Sequence, residues 1–246
     1  SGTLSADGGI LQLTGGTFNS SGTIQAINGG TLQFNAAINS SGVVDVGSAS
    51  LTATGNYTQS GGSFLLAGGT VQSNNALVFN GGLIDARGTI NAAIMNNATL
   101  RPALGGSGLN VTGNVSLLSA SNLVFQLGGL TQGTQYGFLN VNGTVSLGGN
   151  LVLSFVNGFE NSVTGNDTFT LLSSSSAFVG SFTNITSGTR LQTSDGFGSF
   201  LVSYNGSNLV LSNDLAVNQA LVTSTYLGGT TVWSNPASWS RTPLMP

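Results

Sequence analysis

A 246-residue chain with four Arg, seven acids and no Lys, His or Cys is barred from several functions by composition alone. Charged residues make up 4% of it, against roughly 25% in an ordinary domain, which argues against nucleic-acid binding and a polybasic membrane surface. Without imidazole or thiol, zinc, haem and iron–sulfur sites lose their usual ligands, and so does His- or Cys-based catalysis. An apolar content of 39% and a mean hydropathy of +0.26 are too high for disorder, and a chain of this length buries a large core. The longest apolar runs, such as Ala216–Leu227, are interrupted and fall short of the ~20 residues of a membrane helix. A transmembrane barrel would need aromatic girdles. Only two Trp and four Tyr are present, with both Trp near the end, at 233 and 239. No membrane insertion is expected.

Residues 1–97 carry an internal repeat, the first thing to look for in any chain. Ser1-Gly2-Thr3-Leu4 recurs as Ser21-Gly22-Thr23-Ile24 and Ser41-Gly42-Val43-Val44, then as Gly61-Gly62-Ser63-Phe64 and Gly81-Gly82-Leu83-Ile84. A second phrase follows in each period (Gly30-Thr31-Leu32-Gln33-Phe34, for example), and a third closes it (Phe18-Asn19-Ser20, Ile38-Asn39-Ser40, Tyr57-Thr58-Gln59, Phe79-Asn80-Gly81). Each phrase alternates apolar and polar residues between Gly, Asn and Ser, which is the pattern of a short strand. Three strands in 20 residues leave corners too short for a helix. The fold expected is all-β: a right-handed, single-stranded parallel β-helix, or β-solenoid, of about 20 residues per coil, with coils ~4.8 Å apart. Its inward columns are expected to be Leu4, Ile24, Val44, Phe64 and Ile84; Leu11, Leu32, Leu51, Val71 and Ile90; and Phe18, Ile38, Tyr57 and Phe79. Glycine is expected at corners that need positive φ. Asn19, Asn39, Asn80 and Asn96 share one corner, where they either form an amide ladder or serve left-handed backbone.

Residues 98–213 keep the strand pattern but lose the period. Leu109–Leu118, Asn122–Leu127, Phe138–Val141, Thr144–Leu147, Asn150–Val156, Asp167–Leu172, Gly198–Tyr204 and Asn208–Leu211 read as strands, and Asn205-Gly206 as a hairpin turn. Wider coils ending in a C-terminal antiparallel β cap over residues ~160–213 are expected, because an open last coil exposes an edge. Residues 214–246 form a connector, with a short helix expected around Leu215–Val222, and a Trp/Pro-containing tail.

The phrases Gly55–Phe64, Arg101–Asn114 and Leu139–Gly149 resemble those of bacterial extracellular β-solenoid proteins with autotransporter-associated β-strand repeats, found in autotransporter passengers and giant surface proteins. Val232–Pro243 resembles the W…NP…W…P opening of a new module in such proteins. The resemblance covers nearly the whole chain and implies one module of a longer chain, or a processed subunit, at the bacterial cell surface or outside the cell. The start at Ser1, inside the repeat, fits that expectation.

Chemistry is sparse in the sequence. Polysaccharide-active β-helix enzymes need clustered carboxylates. Here stacking puts Asp45 and Asp85 in one outward column with Leu65 between them, and Arg87 is expected to pair with Asp85 at the surface. Asp45, Asp85 and Arg87 are the only candidate polar cluster, with a sugar contact as its functional reading. Asp7, Asp167, Asp195 and Asp214 read as turn residues. No catalytic residue, metal site or cofactor is expected, and regular Thr-x-Thr ladders of the ice-binding kind are missing. The expected role is structural: a rod, adhesin stalk or filament subunit joined end to end to copies of itself or to adjoining modules. Trp233, Trp239, Leu244 and Met245 are the candidate assembly contacts. The alternative is a carbohydrate-binding adhesin or polysaccharide-active enzyme, with host or matrix carbohydrate as partner.

Overall fold

A computed structural model of the chain describes residues 2–216, 223–226 and 239–242. Their regular elements are all strands, apart from one 3-10 turn at Phe159–Asn161. The fold is a β-solenoid with three faces. Alternation dictates it: each short strand has an apolar side that only the coils above and below can cover. The first face begins with Thr3–Asp7, Thr23–Ile27 and Val43–Gly47, the second with Ile10–Leu13, Thr31–Phe34 and Ser50–Ala53. In the fourth and fifth coils the first two faces run through their corner as single strands, Ser63–Ser73 and Leu83–Asn91. The third face stacks eight strands in sequence order, from Thr17–Ser20 to Val179–Gly180, all parallel.

Register shows where the period holds and where it breaks. Thr3 lies under Thr23, Thr23 under Val43, Val43 under Ser63 and Ser63 under Leu83, in steps of 20. The next steps take Leu83 to Thr99, Thr99 to Asn122 and Asn122 to Asn150. Coil length therefore first drops to 16 and then rises to 23 and 28, while the stacked strands keep their register.

The inward columns are continuous. Ile24, Val44, Phe64, Ile84, Leu100, Leu123 and Leu151 are each at most 1% exposed. Leu32, Leu51, Val71, Ile90, Val111 and Val141 line the second face from inside, and Ile38, Tyr57, Leu77, Ile94, Val115 and Val145 the third. Leu4, Leu11 and Phe18 of the first coil are half-buried, since coils cover them from one side only. The third column differs from expectation in one member. Leu77, not Phe79, stacks on Tyr57, and Phe79 stacks on Gln59. Both positions point inward, so aligning the phrases by their aromatic residue slips the register by two. Phe79 is still buried, edge-on to Tyr57 and Phe64. Gln59, also buried, donates to the carbonyls of Gly42 (2.8 Å) and Gly61 (2.5 Å) and accepts from the Tyr57 hydroxyl. Buried amides bonded in this way fix the register of a coil.

The glycine period has a different main cause from the one expected. A Cβ on Gly22 would lie 2.0 Å from the Gly2 carbonyl oxygen, and one on Gly42 2.0 Å from that of Gly22. Gly62 and Gly82 meet the coil below in the same way, at 2.0 and 2.4 Å. Only Gly62 and Gly82 of this series have positive φ. Close approach of backbone at a stacked corner is what excludes side chains there.

The asparagine series also divides. Asn39 donates to Asn19 at 3.0 Å, a two-rung ladder. Asn80 lies beyond its strand, and Asn96 points inward, where it holds the backbone of Ala98. Comparable ladders join Asn140 to Asn110 and Asn150 to Asn122.

The outward side of the second face carries two rows of side chains. One row is Thr31, Ser50, Thr70, Thr89, Asn110, Asn140 and Ser173. The other runs Gln12, Gln33, Thr52, Gln72 and Asn91, continuing through Thr112 and Asn142.

The C-terminal end is an antiparallel sheet. Phe169–Ser174 pairs with Asn208–Ala216, which pairs with Gly198–Ser203, which pairs with Thr189–Gln192. The hairpin at Asn205-Gly206 is as expected, with Gly206 at φ +105°. The helix expected at Leu215–Val222 is not borne out at its start: Leu215 and Ala216 continue a strand, because their partners Ser199 and Gly198 extend the ladder. Residues 217–222 lie outside the described residues. Phe155, Phe159, Phe169 and Phe200 pack edge-on or tilted beneath this sheet.

Candidate functional site

The candidate cluster Asp45, Asp85 and Arg87 sits on the outward side of the first face. Leu65 separates Asp45 from Asp85, as the stacking predicts. The ion pair is not the one expected. Arg101 of the next coil, directly above Asp85, donates through Nη2 at 2.6 Å and Nε at 3.1 Å to its two carboxylate oxygens. That hydrogen bond raises the Arg101 pKa further, against partial burial. Arg87 instead turns to the corner and donates to the Leu104 carbonyl at 3.4 Å. The reason is coil length. With a 20-residue step the neighbour of Asp85 would be residue 105, whereas the 16-residue step brings Arg101 there.

Both partners of the Asp85–Arg101 pair are partly exposed, at 27% and 30%. Asp85→Ala and Arg101→Ala are each expected to cost about 1 kcal/mol or less, and a double-mutant cycle in urea should give a coupling that shrinks with added salt. A coupling above about 2 kcal/mol would mark the pair as more than a surface contact.

Arg87 borders a set of corner insertions. Residues 103–108, 128–138 and 156–168 leave the first-to-second-face corner on three successive coils. The first two are tied together: Gly105 and Gly106 donate to the Gly133 carbonyl at 3.1 and 3.3 Å. Tyr136 anchors the second by packing edge-on to Phe169, and Gln132 donates to the Thr170 carbonyl at 3.0 Å. Leu130 is 57% exposed on this insertion. Insertions gathered at one corner of a solenoid are a common place for binding. Their signal in the sequence was the loss of period after residue 97, together with Gly105-Gly106 and Gly128-Gly129.

A second polar site lies in the cap. Asp214 is a strand residue, 7% exposed, not the turn residue expected. Its Oδ1 has no hydrogen-bond partner and lies against Gly198, where a Cβ would be 2.9 Å away. Burial raises its pKa, Arg190 lowers it and Asp167 raises it. Arg190 is itself held by the carbonyls of Ser199 and Asn213. A carboxyl whose folded pKa lies above its unfolded value adds stability below the unfolded pKa, and that stability is lost as pH rises through the folded pKa. The cap is therefore expected to loosen between acid and neutral pH. Asp214→Asn should flatten the dependence and raise the melting temperature at neutral pH, as measured by thermal unfolding across that range. Asp195, by contrast, is a turn residue, accepting from the backbone amides of Phe155 and Phe197. Asp167 likewise accepts from Thr164 three residues earlier.

Among the described residues no three His, Cys, Asp or Glu come close enough together to hold a metal ion. No helix there is long and apolar enough to cross a membrane. Of the candidate assembly contacts, Trp233, Leu244 and Met245 lie outside the described residues. Trp239 opens the strand Trp239–Thr242, which pairs antiparallel with Thr223–Tyr226. Comparison with protein-family models and with curated proteins found no match for the chain.

Proposed function

We propose that the chain is a non-enzymatic structural module of an extracellular bacterial rod, adhesin stalk or filament, joined end to end with copies of itself or with adjoining modules. The observation that carries this reading is the unbroken stack of eight parallel coils on the third face, with apolar columns inside and titratable residues dispersed outside. A rod needs a core, tight corners and compatible ends, and little else. The strands Thr3–Asp7, Ile10–Leu13 and Thr17–Ser20 each pair on one edge only, which leaves a template for a further coil of the same chain or of another. The resemblance of Gly55–Phe64 and Arg101–Asn114 to autotransporter-associated repeats supports a place on the cell surface. We assign the connection to the tail, through Trp233, Trp239, Leu244 and Met245, on its apolar composition.

Immunogold electron microscopy of the source cells tests the role. Label along extended surface structures is the expected result, and label confined to the cell interior would overturn it. Deleting residues 230–246 tests the connector: rods of undiminished length would remove the tail from that part.

A further inference from the structure

We propose that Asn205 is a site of self-modification, at which the folded chain converts its own asparagine to aspartate and isoaspartate with water as the co-reactant. Asn205-Gly206 is one of five Asn-Gly pairs, the others being Asn28-Gly29, Asn80-Gly81, Asn142-Gly143 and Asn157-Gly158. Such pairs are reactive because glycine has no Cβ to obstruct its own backbone nitrogen as that nitrogen approaches the asparagine side chain. The sequence ranks the five alike, and all five asparagines are exposed. The fold separates them.

The reaction needs a free side-chain amide and a peptide unit with room to turn. Asn28 lacks the first, since its Nδ2 donates to Asp7 Oδ1 at 2.8 Å. Asn80 and Asn142 lack the second. Their glycines lie against the backbone of a neighbouring coil, where a Cβ on Gly81 would be 2.6 Å from the Ser60 carbonyl oxygen and one on Gly143 2.3 Å from that of Gly113. The Asn80 amide also donates to the Gln59 carbonyl at 2.7 Å, and the Asn142 carbonyl accepts from the Gly113 amide at 3.1 Å. Asn157 lays its side chain against Gly128, and it and Gly158 are both left-handed, at φ +59° and +74°. None of these restraints applies at Asn205. It lies in the loop between Gly198–Ser203 and Asn208–Ala216, away from the stacked corners. Among the described residues neither its side chain nor the Gly206 N–H has a hydrogen-bond partner. A Cβ on Gly206 would meet nothing within 4 Å. The nearest tie is one peptide further on, where the Gly206 carbonyl accepts from the Phe178 amide at 2.8 Å.

The chemistry balances without any other group. The Gly206 backbone nitrogen gives up its proton to solvent and attacks Cγ of Asn205. The new N–Cγ bond closes a succinimide ring, and Nδ2 takes up a proton and leaves as ammonia. Water then adds to one of the two ring carbonyls and breaks that carbonyl's bond to nitrogen. Opening at Cγ gives aspartate; opening at the backbone carbonyl gives isoaspartate, which routes the main chain through the former side chain. Either product adds a carboxylate to the cap hairpin, and the isoaspartyl form also lengthens its backbone by one methylene. The inference does not depend on the structural role proposed above.

The test is peptide mapping by mass spectrometry of the full 246-residue chain, aged in mildly alkaline buffer at physiological temperature, with and without denaturant. In the folded chain Asn205 is expected to convert about tenfold or more faster than Asn28, Asn80 and Asn142, with Asn157 in between. In denaturant the five rates are expected to converge, because the restrained sites no longer wait for local opening of the fold. Asn205→Gln should remove the first acidic form that ion-exchange chromatography resolves on ageing. Conversion at Asn205 no faster than at Asn80 or Asn142, or Asn157 converting first, would overturn the proposal. So would the same ranking in denaturant, which would give the order to flanking sequence rather than to the fold.

Discussion

Gly42→Ala is expected to cost at least about 3 kcal/mol, a large share of the roughly 5–15 kcal/mol that holds a domain together. The added methyl would meet the Gly22 carbonyl oxygen at 2.0 Å and the backbone of Ser21 at 2.7 and 2.8 Å. Those atoms are corner backbone between the strands Thr17–Ser20 and Thr23–Ile27, and the Gly22 carbonyl accepts from the Val43 amide at 3.0 Å, so no flexible side chain can move aside. Relief requires the corner to open, and the opening passes to the coils above and below. Gly2→Ala is the control. It occupies the same place in the same phrase, has open space around it, and should change stability by less than about 0.5 kcal/mol. Urea unfolding of the two variants decides the matter. Similar midpoints would mean that the 20-residue glycine period does not reflect backbone contact.

Phe169→Ala is expected to release the cap without unfolding the rod. Phe169 is fully buried and touches Tyr136, Phe159 and Phe200 through edge-on contacts. It therefore joins the corner insertion, the 3-10 turn and the antiparallel sheet. Truncating a buried Phe costs about 3–5 kcal/mol, and in a solenoid the loss stays with the nearest neighbours. Hydrogen exchange should then quicken across Gly198–Ser203 and Asn208–Ala216, while Val43–Gly47 and Tyr57–Gln59 keep their protection. Uniform loss of protection from end to end would show instead that rod and cap unfold as one.

Residues 2–97 were readable in advance because one short alternating phrase repeats there with little change. Leu32, Leu51, Val71 and Ile90 stack as the phrases align. Where a strand offers two inward positions, alignment by residue type misleads, as with Leu77 and Phe79. The candidate cluster was half legible. The column that holds Asp45, Leu65 and Asp85 follows from period alone. The partner of Asp85 does not, since it depends on a coil shortened to 16 residues, and Arg101 lies past the end of the 20-residue repeat. The buried position of Asp214 was hidden for a related reason: antiparallel pairing after residue 189 depends on contacts between segments with no repeat to align.

Because every 20-residue step from Thr3 to Leu83 ends on the same corner, a recombination event that joins one copy of the phrase to the next removes or adds one whole rung. Excision of residues 23–42 would set Val43 directly on Thr3 and preserve the glycine contact, with Gly22, still stacked on Gly2, taking the place of Gly42 before Val43. Genes built this way change in units of a coil, so lineages carrying such a chain can differ in reach while the capped end stays the same.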